Sequence, residues 1–145
     1  MRHYAILASL FLAASTNATE PAAPDFKIES IELVTFDGST GKFGVLPADG
    51  SVNLFADLIV KVKVTGPRGA YAPGRQLSIE LVGSGKATPL QKREMAGIGM
   101  DGASFALAYF PTGLVCSPLT VRARLLAQKS PVAKEVKLEG FNCGE

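Results

Sequence analysis

Few residues in this chain are equipped for chemistry. His3 is the only histidine, Cys116 and Cys143 are the only cysteines, and tryptophan is absent. Ser-His-Asp and Cys-His sites need an imidazole as base, and His3 sits in a segment expected to be removed. Met1-Arg2-His3-Tyr4 makes a short basic start, Ala5 to Ala14 a small and apolar run, and Ser15-Thr16-Asn17-Ala18 a small-residue exit. Residues 1–18 therefore read as a secretory signal peptide. Cleavage after Ala18 makes Thr19 the first mature residue, with cleavage after Ser15 the second choice. The mature chain would hold no imidazole, and its cysteines would enter an oxidising compartment, periplasmic or extracellular, where Cys116 and Cys143 are expected to form one disulfide. Zinc sites draw on imidazole and thiolate, so no metal and no cofactor is expected.

Carboxylates are the remaining catalytic candidates, since glycoside hydrolysis needs two that converge. Asp37, Asp49 and Asp101 each precede a glycine, and Asp-Gly is a hairpin-turn signal. Ser84-Gly85-Lys86 and Lys129-Ser130 also read as turns rather than a serine-lysine pair. Met95 and Met100 lack the histidine or thiolate partner that a copper site would use. Gly97-Ile98-Gly99-Met100-Asp101-Gly102 has no helix after it to cradle a phosphate. The expectation is a protein that is not an enzyme, with a carboxylate-based hydrolase of envelope glycans as the alternative.

One loop has the composition of a contact surface. Gly66-Pro67-Arg68-Gly69-Ala70-Tyr71-Ala72-Pro73-Gly74 is too rich in Gly and Pro for a strand, and it carries Arg68 and Tyr71 with Arg75 just after. Tyr and Arg are favoured at binding hot spots. Arg68, Tyr71 and Arg75 are the expected partner-binding residues, and the expected partner is a protein or an envelope polymer.

The elements that must position this loop alternate with period two. Val52, Leu54, Ala56, Leu58, Val60, Val62 and Val64 occupy even positions, with mostly polar residues between them. This is a strand with one buried face. Leu77, Ile79 and Leu81 repeat it, as do Phe105, Leu107 and Tyr109, then Leu119, Val121, Ala123 and Leu125, and finally Val136 and Leu138. Phe26 to Phe36 opens the domain with a slip at Ser30-Ile31 that predicts a bulge, and Leu90 to Glu94 predicts an edge strand. Gly and Pro punctuation separates the runs.

The cysteines suggest a register for the last hairpin. Cys116 set opposite Cys143 puts Val121 opposite Leu138 and Ala123 opposite Val136, facing inward. It puts Arg124 opposite Glu135, and Arg122 opposite Lys137, a like-charge pair that Glu80 on a neighbouring strand would relieve. The turn would centre between Lys129 and Ser130. A disulfide closing a loop of about 28 residues contributes about 3 to 4 kcal/mol in the chain-entropy account.

The predicted fold is all-β: an antiparallel sandwich of seven or eight strands, with Thr19 to Asp25 a flexible lead-in and residues 26–145 one domain. The strand pattern resembles the immunoglobulin-like or fibronectin III-like class along the whole mature chain. It lacks the buried tryptophan and inter-sheet cysteine pair of true immunoglobulin domains, so the likeness implies a fold and no site residue. With 15 basic and 13 acidic residues, the chain has no unopposed basic face, so no nucleic-acid partner is expected. The apolar run of about ten residues is half a membrane span, so no span is expected either. These features point to an exported, non-catalytic binding or accessory module, an enzyme inhibitor being its sharpest form.

Overall fold

A computed structural model describes residues 22–37, 40–46, 57–83, 90–110 and 118–138. The signal segment, Asp49-Gly50, Ser84-Gly85-Lys86 and both cysteines lie outside the described residues. Within them the protein is all-β, with strands β1 (Lys27–Asp37), β2 (Lys42–Val45), β3 (Asp57–Thr65), β4 (Gln76–Gly83), β5 (Gln91–Glu94), β6 (Ala103–Phe110), β7 (Leu119–Leu126) and β8 (Val132–Leu138). Two antiparallel four-stranded sheets result, one ordered β2-β1-β3-β6 and the other β5-β4-β7-β8. Their inner faces make one core. Leu58, Val60, Val62 and Val64 of the first sheet bury with Leu77, Ile79, Leu81, Val121, Ala123 and Leu125 of the second. No helix among the described residues is long and apolar enough to cross a membrane.

Turn chemistry accounts for much of the layout. Pro73 and Gly74 take the central positions of a turn in which the Arg75 amide donates to Ala72 O at 3.3 Å, and Gly74 has φ +76°. That left-handed conformation suits glycine. Asp101 Oδ1 accepts from the Ala103 amide at 3.1 Å, so its carboxylate shapes the turn before β6. The expected bulge in β1 appears as a register shift between Ile28 and Ser30. Leu90 to Glu94 does contain an edge strand, β5, paired to β4.

Three features differ from the sequence reading. The first is β2, which no period announces, because Phe43 and Val45 alternate with a glycine and both stay exposed. The second is the last hairpin. Leu119 pairs with Leu138, Val121 with Val136 and Arg122 with Glu135, one residue per strand away from the cysteine-derived register, with the turn displaced towards Gln128. The shift keeps Leu119, Val121, Ala123, Leu125, Val136 and Leu138 on the inner face, and it exchanges a Lys137 repulsion for a Glu135 ion pair at Arg122. Gln128 is fixed by another element: its side chain accepts from the Phe26 amide at 3.1 Å and donates to Phe26 O at 3.1 Å.

The third is the parity of β6. Ala106, Ala108 and Phe110 face the core, while Phe105, Leu107 and Tyr109 are about half exposed. Directly opposed residues share a face, and the register sets Ala106 against Val62, Ala108 against Val60 and Phe110 against Leu58. The valines are fully buried, so the small alanines must be inward and the larger side chains outward.

Candidate functional site

The three loop residues separate. Arg68 and Tyr71 lie at the surface, Tyr71 with 69% of its area exposed, and Met100, on the segment before β6, is 79% exposed. The loop is bound to the segment before β6 by Gly69 N–H to Gly99 O at 3.2 Å, Ile98 N–H to Ala70 O at 2.9 Å and Ala72 N–H to Ala96 O at 2.7 Å. Arg75 is 3% exposed. Its guanidinium donates to Ala127 O at 2.8 Å and Pro24 O at 2.7 Å, stands 3.8 Å from Asp25 Oδ1, and lies 5.1 Å from the centre of the Phe26 ring. Leaving a buried charge without partners is costly. Here Nη1 and Nη2 tie Pro24 and Asp25 of the lead-in to the β7–β8 turn, where Ala127 adopts φ +56°, while the buried Nε has no hydrogen-bond partner.

The outer faces of the two sheets differ in chemistry. On the second sheet, Arg122 donates to Glu135 and, at 3.1 Å, to Glu80, and Arg124 lies 3.8 Å from Glu80. The Arg122 pKa is raised above its ordinary value by the Glu135 hydrogen bond first and the Glu80 bond second, so Arg122 stays a cation at every physiological pH. Lys92 and Lys137 are exposed on the same face, as are Val82 and Leu126, whereas Lys134, opposite Ala123, turns towards the first sheet and donates to Glu29 O at 2.6 Å. This is a solvated, ion-paired surface.

On the first sheet, one rung of opposed residues runs Val45, Val34, Ile59, Tyr109 across all four strands. Four strands span about 15 Å at the usual spacing. Phe43 pairs with Phe36 on the next rung, their rings 5.0 Å apart and tilted by 46°. Leu107 and Phe105 extend the apolar surface along β6, and Lys61 sits 5.3 Å over the Phe105 ring. Exposure is 67% for Phe43, 65% for Val45, 54% for Phe105 and Leu107, and 51% for Tyr109. The charges on this face are internally neutralised, Lys61 by Glu32 at 3.0 Å and Lys63 by Glu29 at 2.7 Å. On a monomer the largest contiguous exposed apolar patch is often a functional one. The alternation of Phe105, Leu107 and Tyr109 was legible in the sequence, but its direction was not, because either parity of β6 satisfies the same period.

The carboxylates do not assemble a hydrolytic pair among the described residues. Glu80 and Glu135 converge, but on Arg122, which occupies the space a glycosidic oxygen would need. Two surface depressions of about 400 Å³ are lined by Val82, Pro118, Leu119 and Lys137, and by Asp25, Lys27, Thr65 and Pro67. Neither brings two carboxylates together. The described residues contain no group of three His, Cys, Asp or Glu placed to hold a metal. No protein-family model matches this chain, and no curated protein matches it in sequence.

Proposed function

We propose that this protein is an exported, non-catalytic binding module that recognises another protein through the outer face of its first sheet. The contrast between the two outer faces carries the reading: one is a lattice of ion pairs, the other a four-strand apolar surface that water alone would not select. Arg68 and Tyr71 offer a second contact region on the adjoining loop. Arg75 supports that loop from inside. The crossing of the chain between sheets after β3, after β5 and after β6 supports an immunoglobulin-like or fibronectin III-like class of sandwich. The periplasm or the extracellular space is the compartment that the amino-terminal segment fits.

Capture from envelope extract by the mature domain tests the partner. Tyr109→Glu and Phe43→Glu should each weaken capture at least about tenfold, as charges placed in an apolar interface do. Arg124→Glu on the opposite sheet should leave it unchanged, and digestion of the extract with protease should abolish it. Capture that survives protease would assign an envelope polymer instead. Hydrolysis of a glycan by pure protein, lost on substituting one carboxylate, would overturn the non-enzymatic reading.

The same reading includes a Cys116–Cys143 disulfide. Intact-mass analysis of native protein with and without an alkylating reagent should give identical masses, and addition of two alkyl groups would overturn the pairing.

A further inference from the structure

Among the described residues the sulfur atoms are those of Met95 and Met100, and the chain has no tryptophan. The two thioethers are close in sequence and lie in opposite surroundings. Met95 is buried in the core, its amide donating to Arg75 O at 2.8 Å. Met100 is the most exposed of the large apolar side chains described. Easily oxidised sulfur is therefore presented to solvent at one described position, on a turn between β5 and β6.

That turn is built from its glycines. Gly102 N–H donates to Gly99 O at 3.0 Å, Gly99 N–H to Ala103 O at 2.9 Å, and Gly69 N–H, from the facing loop, to Gly99 O at 3.2 Å. The Met100 amide and carbonyl take no part in these bonds. The Met100 side chain lies back across the facing loop, where Sδ stands 3.0 Å from the position that a Cβ on Gly69 would occupy. Gly69 has φ +65°, a conformation that favours glycine and leaves that position bare. The Arg68 stem crosses the other way, with Cγ 3.7 Å from the corresponding position on Gly102. The thioether thus rests on bare backbone next to Arg68 and is open to solvent on its other side.

We propose that Met100 is a reversible oxidation site for two-electron oxidants of the hydrogen peroxide class. A sulfur lone pair attacks one peroxide oxygen and the O–O bond breaks. The proton of the attacked oxygen passes to the departing hydroxide, which leaves as water, and the sulfur is left oxidised as the sulfoxide. The return step consumes two thiols: a dithiol-dependent sulfoxide reductase gives up two electrons, becomes a disulfide and releases the oxygen as water. Both steps need sulfur at the surface, which Met100 supplies and Met95 does not. The fold tolerates the product, because the backbone bonds of the turn do not involve Met100 and the new polar group faces water. The same change at Met95 would place that group in the core. At Met100 it replaces a soft apolar contact on Gly69 by a polar acceptor next to Arg68, on the loop that also presents Tyr71. The oxidation needs no partner, so it stands or falls apart from the binding reading.

Timed exposure of the protein to hydrogen peroxide, with tandem mass spectrometry placing each added oxygen on Met95 or Met100, tests the site. Met100 should gain oxygen at least about tenfold faster than Met95 in the folded protein, and the two rates should converge in concentrated urea, where burial no longer separates them. Methionine sulfoxide reductases, one for each sulfoxide epimer, should return Met100 to the thioether in the folded protein when supplied with dithiothreitol. The Gly69 amide resonance should shift on oxidation and recover on reduction, while those of Val62 and Val121 stay in place. The melting temperature should move by no more than about 2 °C, as for a surface change. Met100→Leu should remove the fast reaction and leave Gly69 unshifted by peroxide. Equal rates at Met95 and Met100 in the folded protein, an unmoved Gly69 resonance, a sulfoxide that the reductases cannot reach, or unfolding on oxidation of Met100 would each overturn the proposal.

Discussion

Val62→Asp should destabilise the domain by roughly 4 kcal/mol, the cost of an unpaired charge in an apolar interior. Val62 is fully buried, between Ile31 of β1 and Ala106 of β6 on adjacent strands. The lysines of its own strand cannot serve as partners, because Lys61 and Lys63 project from the other side to Glu32 and Glu29. Domains of this size have only about 5 to 15 kcal/mol in total, so the variant should sit near the edge of folding. Lys63→Gln, one residue away, breaks an exposed ion pair worth at most about 1 kcal/mol. Urea unfolding of the two variants checks the assignment, and equal shifts would show the two faces of β3 to be wrongly identified.

Arg75→Met should cost about 3 kcal/mol although it replaces a charge by an apolar side chain of similar length. Substituting a whole buried ion pair can be neutral, because both charges leave together. Here the partners are the carbonyls of Pro24 and Ala127, which remain and are left without their donor. The Phe26 ring also loses its cation contact. The melting temperature should fall, with capture of the partner unchanged wherever the variant is folded. Reduced capture by a fully folded Arg75→Met would instead place Arg75 in the contact itself.

Arg75 also shows where composition misleads. In the sequence it stands beside Tyr71 and Arg68 in one Gly- and Pro-rich loop, and all three look alike as surface residues. The turn at Pro73-Gly74 ends before it, so Arg75 faces the domain interior and meets Phe26, distant in sequence. No local pattern signals that encounter.

Alternation with period two, read against Gly and Pro punctuation, determined by itself that the chain is all-β, and it located seven of the strands described here. It did so because a half-buried strand must alternate wherever it lies. The same signal is blind to two things. A register displaced by one residue on each strand leaves every inward side chain inward, so the last hairpin could be fixed only by contacts across strands: Arg122 with Glu135 and Glu80, and Gln128 with Phe26. The parity of β6 is likewise undetermined by its own residues, because both alternate sets are apolar. Tertiary structure decided it, since the fully buried valines of β3 and the opposing sheet leave room for alanines at those positions, and Phe105, Leu107 and Tyr109 are thereby turned out to make the surface on which the proposed function rests.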